Sequence, residues 1–295
     1  MPTTRIAAMA GHFGADIGRA LDKLAGIVER LGEQGVDLLV LPDATLGGYI
    51  GDLRNPDPAA GPEAIDPDGQ EIRLLCRMAG PMTLCVGYAE RDGDRRYNSA
   101  VCLSGDGVLG RHRKVHQPAG EHLAYAAGDR FEAFDTPVGR MGMLIDYDKT
   151  FPESARTLAL DGAQLIATLS AWPASITDRA SRLPNDRQSR LFDLYDQARA
   201  AENQVVLASS NQTGTTGNLR FLGQAKVVGP GGEILARTWS KGGLAQVDLD
   251  IGAEVERARR VLRHVAERRV DAYRNLLAEP GNRLSAGRER EGDLR

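Results

Sequence analysis

The stretch from Gly142 to Glu153 reads GMLIDYDKTFPE. It is apolar as far as Ile145, turns polar at Asp146, and places Pro152 near the first turn of a predicted helix. A strand that passes through a sharp turn into a helix exposes the turn residue to backbone N–H groups and a helix N-terminus, as at a nucleophile elbow. The stretch therefore predicts either a reactive side chain at Asp146 or an ordinary cap between a strand and a helix.

Outward from this stretch, strand and helix patterns alternate along the chain. Near-continuous apolar runs predict strands that are buried on both faces, and apolar residues at helical spacing predict amphipathic helices. The predicted strands are Arg5–Ala10, Val36–Leu41, Met82–Tyr88, Tyr97–Leu103, Val108–His112, Met141–Ile145, Leu165–Leu169, Val205–Ser209, Ala225–Val228 and Leu244–Val247. The predicted helices are Ile17–Leu31, Glu63–Ala79, Pro152–Leu160, Asp186–Glu202 and Ala253–Leu277. Hairpins mixed with crossovers favour an α/β protein in which helices cover mixed sheets.

The bulk composition bounds the class of protein. The 295 residues, 42% of them hydrophobic, suffice for one large α/β domain. A net charge of −3 gives no electrostatic reason to expect nucleic acid or an anionic membrane as a partner, and no apolar run reaches the roughly 20 residues that span a bilayer. The cysteines, Cys76, Cys85 and Cys102, lack metal-type spacing and fit a reducing compartment. We therefore expect a cytoplasmic protein.

Two further stretches place a charged residue just beyond a predicted strand. LLVLPD, from Leu38 to Asp43, ends a buried run on a carboxylate, and α/β proteins usually build their sites at the carboxyl ends of strands. GRHRKVH, from Gly110 to His116, carries Lys114 after another strand. Taken singly, Asp43 also fits a turn or helix cap, and Lys114 also fits a solvated surface residue.

Together, the three stretches resemble the motifs of the nitrilase (carbon–nitrogen hydrolase) superfamily in order and spacing. The glutamate motif is matched by Val40-Leu41-Pro42-Asp43 with Leu46–Tyr49, the lysine motif by Arg113–His116, and the cysteine motif by Ile145–Asp148 with Phe151–Glu153. Secondary features match at Ser170–Pro173, Arg199–Asn203 and Ser210–Gln212. The resemblance runs from Arg5 to Val247 and points to the amidase-like branch.

The resemblance implies an αββα sandwich that pairs into an αββααββα homodimer or a higher homo-oligomer. The stretch Asp193–Asn203, with Tyr195, is similar in placement to helices that make such contacts. We expect a single nitrilase-like domain over residues 1–280. The tail over residues 281–295 is rich in Gly, Arg and Glu, which predicts disorder.

Residue 146 governs the chemistry that the resemblance implies. In the family, a cysteine thiolate attacks a nitrile or amide carbon, a glutamate moves protons and a lysine steadies the oxyanion. Here Lys114 matches the lysine, but Asp146 stands at the cysteine position and Asp43 at the glutamate position. Glu121 matches a second glutamate that helps to hold the site. None of the three cysteines is placed to replace the nucleophile.

An Asp–Lys–Asp site favours acid–base chemistry on a small amide, nitrile or related carbonyl–nitrogen compound. A carboxylate is a poor nucleophile toward an amide, because the resulting anhydride is less stable than the amide. Asp43, Glu121 and Asp146 around Lys114 cannot all stay ionised in a water-poor pocket, so at least one acid should have a raised pKa. Hydrolysis, hydration, dehydration and cyclisation all stay open. The alternatives are an inactive scaffold that binds a ligand or subunit, and a cysteine-dependent amidase altered at position 146.

Three aromatic residues, Tyr49, Tyr147 and Trp172, are the candidate walls of a pocket for a small-molecule substrate, with ordinary core packing as the alternative. The polar segment Ala174–Ser189 is a candidate lid whose arginines suit a carboxylate. Acid and histidine side chains near the site could ligate a metal, but Lys114 among them would repel a cation. We therefore predict neither a metal nor a cofactor.

Overall fold

Two β-sheets form the centre of the computed structural model, which describes residues 3–59, 61–239 and 241–273. The strands are β1 (Thr4–Gly11), β2 (Leu38–Val40), β3 (Thr83–Asp92), β4 (Arg95–Ser104), β5 (Gly107–Arg113), β6 (Phe134–Thr136), β7 (Gly139–Ile145), β8 (Leu165–Leu169), β9 (Val206–Ser209), β10 (Asn211–Gln212), β11 (Thr215–Thr216), β12 (Leu219–Arg220), β13 (Lys226–Val228), β14 (Ile234–Arg237) and β15 (Gly243–Leu249). The helices are α1 (Ile17–Glu33), α2 (Gln70–Ala79), α3 (Pro152–Leu160), α4 (Arg187–Asn203) and α5 (Ile251–Ala258).

Both sheets are mixed, with parallel and antiparallel pairs of strands. The first sheet has the order β10-β1-β2-β3-β4-β5, and β15 also pairs with β1 in antiparallel. The second sheet has the order β14-β13-β9-β8-β7-β6. Crossover connections give the parallel pairs β1/β2, β2/β3, β7/β8 and β8/β9, whereas hairpins give β3/β4, β4/β5, β6/β7 and β13/β14. The predicted mixed architecture is therefore confirmed.

Alternation of side chains along the strands sorts the core into layers. In β1, Ile6 and Ala8 point between the two sheets, where they pack with Met143 of β7 and Leu165 of β8. The intervening Ala7 faces the opposite side, where α1 and α2 bury their apolar stripes against the first sheet. Helix α3 packs on the outer face of the second sheet. The order helix, sheet, sheet, helix confirms the αββα sandwich, while its pairing with a second copy stays a prediction.

The loops that end β2 and β8 lie against each other and bring the two sheets together at one end. The backbone N–H of Asp43 donates to the carbonyl of Ser170 across 3.3 Å. Gly87 allows the same loop after β2 to pack closely on β3, because a Cβ at that position would lie 2.7 Å from the Cα of Asp43 and from the backbone N of Ala44. Asp43 is thereby held at the carboxyl ends of strands, as the sequence predicts.

The predicted helix over Glu63–Ala79 is wrong in its first part. Helix α2 begins only at Gln70. Before it, Ile65 forms a parallel bridge with Glu90, and the segment then turns through Pro67. The side chain of Asp66 accepts from the N–H of Asp68 at 2.8 Å, which is a local turn that competes with helix formation.

The predicted helix over Ala253–Leu277 is also wrong in part: α5 covers its first residues but ends at Ala258, and the positions beyond 273 lie outside the described residues. The amide of Gln204 donates to the carbonyls of Ala258 and Leu262, so a side chain satisfies groups that further helix would otherwise pair. Val261 beyond the helix is 80% exposed and contributes no buried face. No helix in the described part of the chain is long and apolar enough to cross a membrane. The predicted tail over residues 281–295 lies outside the described residues, and the single-domain assignment over 1–280 stays a prediction.

Candidate active site

The stretch Gly142–Glu153 forms a strained turn at the end of β7. A 3₁₀ turn over Asp146–Thr150 follows Ile145 directly, and α3 begins at Pro152. Asp146 has a φ of 49°, a left-handed conformation that is unfavourable for a residue with a side chain. Such strain persists only where surrounding structure imposes it, and it concentrates at functional sites.

The carboxylate of Asp148 ties this turn to the loop that carries Lys114. It accepts from Nε2 of His112 at 2.9 Å, from Nδ1 of His116 at 3.0 Å and from the backbone N–H of His116 at 2.9 Å. It also accepts from the backbone N–H of Ile145 at 3.3 Å. Burial favours the protonated acid, but these hydrogen bonds outweigh it and hold the pKa of Asp148 well below its ordinary range. Asp148 is therefore a structural anion.

The predicted site residues meet in one buried cluster. Nζ of Lys114 lies 2.8 Å from Oε2 of Glu121 and 3.3 Å from Oδ2 of Asp146. The side-chain amide of Asn98 donates to Oδ2 of Asp43 at 3.0 Å and to Oε1 of Glu121 at 3.3 Å. All five side chains are buried. Among the described residues, the Asp43 carboxyl has no ion pair, whereas the other two acids contact the lysine directly.

Burial and the charge of Lys114 act on the pKa values of Asp43 and Glu121. Burial raises the pKa of Asp43 to about 7, partly offset by Lys114 and then reinforced by the charge of Asp146. Burial also raises the pKa of Glu121. The pKa of Lys114 is lowered by burial, but the attraction of Glu121, Asp146 and Asp43 exceeds that effect and raises it overall. The lysine stays charged, and Asp43 is the acid that can carry a proton near neutral pH.

A cavity of about 330 Å³ opens over Asp146. Tyr147 and Trp172, two of the candidate wall residues, line it, while their contact with a substrate stays a prediction. The structure gives Tyr49 a different place: its hydroxyl donates to Oε1 of Glu121 at 2.8 Å, and it is not among the residues that line this cavity. Tyr49 therefore supports the acid cluster from the side.

The candidate lid, Ala174–Ser189, borders the same cavity through Ser175, Ile176, Thr177, Arg187 and Gln188. The buried carboxylate of Asp186 organises it by accepting from the backbone N–H groups of Ser175 (3.0 Å), Ala180 (3.2 Å) and Gln188 (2.9 Å). The last of these contacts is the N-cap of α4. The segment is held in place at both ends by one side chain.

Sequence reasoning missed Asn98, whose amide joins Asp43 to Glu121. The one available signal was the polar pair Asn98-Ser99 just before the apolar run Ala100–Leu103 of β4. The sequence also gave no indication of the contacts made by Ser210-Asn211-Gln212, a segment that supports two loops of the site. Gln212 donates to the carbonyl of Asp43 at 2.8 Å, and Asn211 accepts from the N–H of Trp172 at 2.8 Å.

A second buried charge cluster lies behind the turn and was not predicted. Asp196 of α4 accepts from Nζ of Lys149 at 2.8 Å and from Nζ of Lys226 at 2.7 Å, and all three side chains are fully buried. Both ammonium groups also lie over the ring of Phe192, at 3.2 and 3.8 Å from its centre. Burial lowers the pKa of Lys149 to about 8, against the attraction of Asp196. In the described part of the chain, no group of three His, Cys, Asp or Glu side chains is arranged to hold a metal ion.

The family model for carbon–nitrogen hydrolases matches residues 5–259. The chain belongs to the carbon–nitrogen hydrolase family. This carbon–nitrogen hydrolase is 31% identical to a nitrilase of Pyrococcus abyssi over 77% of its own length and 82% of the relative's. It is 30% identical to the 2-oxoglutaramate amidase of Bacillus subtilis, over 74% of this chain and 81% of that one.

Solved structures agree with the assignment. A variant of the amidase from Nesterenkonia sp. AN1, which carries acrylamide added at its active-site cysteine, matches with a TM-score of 0.74. The two chains are 26% identical over 93% of this chain and 100% of that one. The predicted superfamily, with its amidase-like neighbours, is confirmed, and with it the general class of hydrolases that act on carbon–nitrogen bonds of small molecules.

Proposed function

We propose that this carbon–nitrogen hydrolase cleaves a small amide by acid–base catalysis with Asp43, Lys114 and Asp146. Asp43 and Asp146 take the places of a glutamate and a cysteine, and Lys114 keeps the place of the lysine. The observation that carries the proposal is the shared cluster of three buried acids and one lysine, in which Asp43 alone lacks a cation partner among the described residues. One acid that holds a proton beside one that does not is the pairing that acid–base catalysis needs. Neither a cofactor nor a metal enters the proposal.

A cysteine route is disfavoured by where the thiols lie. Cys85 of β3 and Cys102 of β4 are buried between the sheets, and Cys76 lies on α2 against the first sheet. Burial raises the pKa of the Cys76 and Cys102 thiols, although for Cys102 the interaction with Cys85 is the larger cause. We therefore infer that Asp146 stands where the related amidase has its reactive cysteine, and Asp43 where the family has its glutamate.

In the proposed reaction, Asp146, Lys114 and Asp43 each have one role. The carboxylate of Asp146 accepts a proton from water as the water oxygen bonds to the amide carbon. The oxyanion that forms is stabilised by Nζ of Lys114 and by the backbone N–H of Tyr147, which stands in the first turn after the strand. Asp43 then donates its proton to the amide nitrogen, the carbon–nitrogen bond breaks, and the products are a carboxylic acid and ammonia or an amine. Hydration of a nitrile would need the same three groups.

Paired activity screens test this assignment. The purified protein, Asp146→Asn and Asp146→Cys are compared on small amides, nitriles and N-carbamoyl compounds, with mass detection of products. Asp178→Asn, an exposed acid on the segment over Asp146's cavity, is the matched control, and thermal unfolding verifies the fold of each variant. We expect turnover by the native protein and the control, and a loss of at least a hundredfold in Asp146→Asn. Turnover by the Asp146→Cys variant alone would instead identify an inactive scaffold that has lost its thiol nucleophile.

We also propose that two copies pair through the layer of α3 and α4, giving the αββααββα arrangement. Leu160 on α3 is 51% exposed and Leu194 on α4 is 56% exposed, although both helices pack against the body of the protein. Exposed leucines on adjacent helices suit a homodimer interface. Sedimentation analysis should find a dimer that Leu194→Asp dissociates and that Val108→Asp, on the hairpin β4/β5, leaves intact.

A further inference from the structure

The cavity over Asp146 is lined by two arginines from distant parts of the chain. Arg54 comes from the loop that follows Tyr49, and Arg187 is the first residue of α4. Within the described residues, neither guanidinium lies at ion-pair distance from a carboxylate or forms a side-chain hydrogen bond. Other arginines of the protein, such as Arg113 and Arg140, are paired with acids.

The acid beside each of these arginines is already engaged by the backbone. Asp52 accepts from the N–H groups of Arg54 (2.8 Å) and Asn55 (3.3 Å). Asp186, next to Arg187, is buried and holds backbone N–H groups of the cavity rim and of α4. The carboxylates next to these arginines in the sequence therefore accept backbone hydrogen bonds and form no direct ion pair with either guanidinium, although the charge of Arg54 contributes to the lowered pKa of Asp52.

Gln188, which lines the cavity together with Arg54 and Arg187, provides a third hydrogen-bond donor; these three residues are called the wall below. Nε1 of Trp172 lies 3.0 Å from the side-chain carbonyl oxygen of Gln188. An indole N–H can only donate, so the Gln188 atom that it meets has to be the oxygen. The NH₂ group of Gln188 is thus left as a donor, with no partner in the described part of the structure. Arg54, Arg187 and Gln188 together offer donors and two positive charges.

This wall complements the charge at the base of the cavity. Asp146, which lines the cavity, and the fully buried Glu121 share a single lysine, so this end of the cavity has an excess of negative charge that repels an anion. Two unpaired guanidinium groups at the wall offset that repulsion for an anion and would oppose a substrate that carries an ammonium group. Arginine is also the residue that best matches the planar geometry of a carboxylate.

We propose that Arg54, Arg187 and Gln188 form a carboxylate subsite, so that the substrate is a small acid amide with its amide over Asp146 and its carboxylate on this wall. The inference rests on the proposed function, whose substrate class it specifies. A cavity of about 330 Å³ accommodates a short amide of this kind.

Three probes of similar size and different charge test the subsite: succinamate (anionic), butyramide (neutral) and 4-aminobutyramide (cationic). Turnover and calorimetric binding are measured for the native protein, Arg54→Gln, Arg187→Gln and the double variant. Arg190→Gln is the matched control, because Arg190 lies one turn further along α4 and does not line the cavity. We expect succinamate to be preferred over both other probes.

Each single variant should lose tenfold or more in affinity for succinamate, while butyramide values change less than twofold and the control behaves like the native protein. Equal losses for succinamate and butyramide, or no preference for succinamate in the native protein, would overturn the subsite. Binding separates this inference from the proposed function. If succinamate binds with the expected preference but no amide turns over, the subsite stands and the reaction fails. Turnover without the preference overturns the subsite and leaves the reaction in place.

Discussion

The protonation of Asp43 should be visible in the stability of the whole protein. Its pKa of about 7 in the folded state exceeds the ordinary value of 3.8. Between these pH values, the folded state holds a proton that the unfolded chain has lost, so the free energy of unfolding falls as pH rises from about 4 to about 7. The difference in pKa corresponds to roughly 4 kcal/mol.

The variant Asp43→Asn removes this titration while it keeps the shape of the side chain and an acceptor for Asn98. Urea unfolding of the native protein and of the variant, measured at intervals from pH 4 to pH 9, gives the difference in unfolding free energy at each pH. We expect that difference to grow in favour of the variant by roughly 4 kcal/mol between pH 4 and pH 7 and to stay level above it. The exposed acid Asp22 provides the control, since Asp22→Asn should follow the native curve.

Parallel curves for Asp43→Asn and the native protein would refute the reasoning, because they would mean that Asp43 is ionised in the folded state throughout this range. The proton would then have to reside on another acid of the cluster, and the assignment of Asp43 as the proton donor would fail with it. If the difference in unfolding free energy between Asp43→Asn and the native protein kept growing well above pH 7, the folded-state pKa of Asp43 would be higher than about 7. Its assignment as the proton donor would then stand.

Three further predictions concern the Asp43 carboxyl, its hydrogen bond from Asn98 and the buried cluster around Asp196. The kcat/KM of the native protein should fall as pH rises through about 7, where Asp43 loses its proton, and a pH–rate profile checks this. In Asn98→Leu that fall should move to higher pH, because the hydrogen bond from Asn98 lowers the pKa of Asp43; an unmoved profile would contradict the role given to Asn98. Asp196→Asn should lower the free energy of unfolding by about 3–5 kcal/mol, since it leaves the ammonium group of Lys149 buried without its anion and leaves Lys226 with Asp193 alone. In urea titrations, the double variant Asp196→Asn with Lys149→Met should recover part of that loss, and no recovery would show that charge is not its cause.

Local patterns were enough to predict most of the fold. Apolar periodicity placed most strands of both sheets, although not the short strands β6, β10 and β14, and the prediction for α3 agrees with the structure at both Pro152 and Leu160. The errors fall where a competing contact ends a helix or prevents it from starting. The turn at Asp66 delays α2 until Gln70, and the Gln204 amide takes up carbonyls at the end of α5. The first competitor is local in the sequence, but the second lies more than 50 residues away.

The candidate site was predicted in part. The strand ends that carry Asp43, Lys114 and Asp146 indicated a common site only through their joint resemblance to the family's motifs, since they follow β2, β5 and β7, which belong to two different sheets. Asn98 and Asp196 carry no comparable signal, since an Asn in a strand or an Asp in a helix has many ordinary structural uses. The chemical roles of these residues, like a cytoplasmic location, stay predictions.

The residue types alone established that three acids and one lysine could form the site, and that they could not all be ionised together. Which acid keeps the proton was beyond any sequence pattern. The answer depends on the fold, which brings Glu121 and Asp146 within ion-pair distance of Lys114 and leaves Asp43 with a neutral amide. Electrostatic energies in a buried pocket change steeply over a few ångströms, and those distances are set by contacts between residues far apart in the chain.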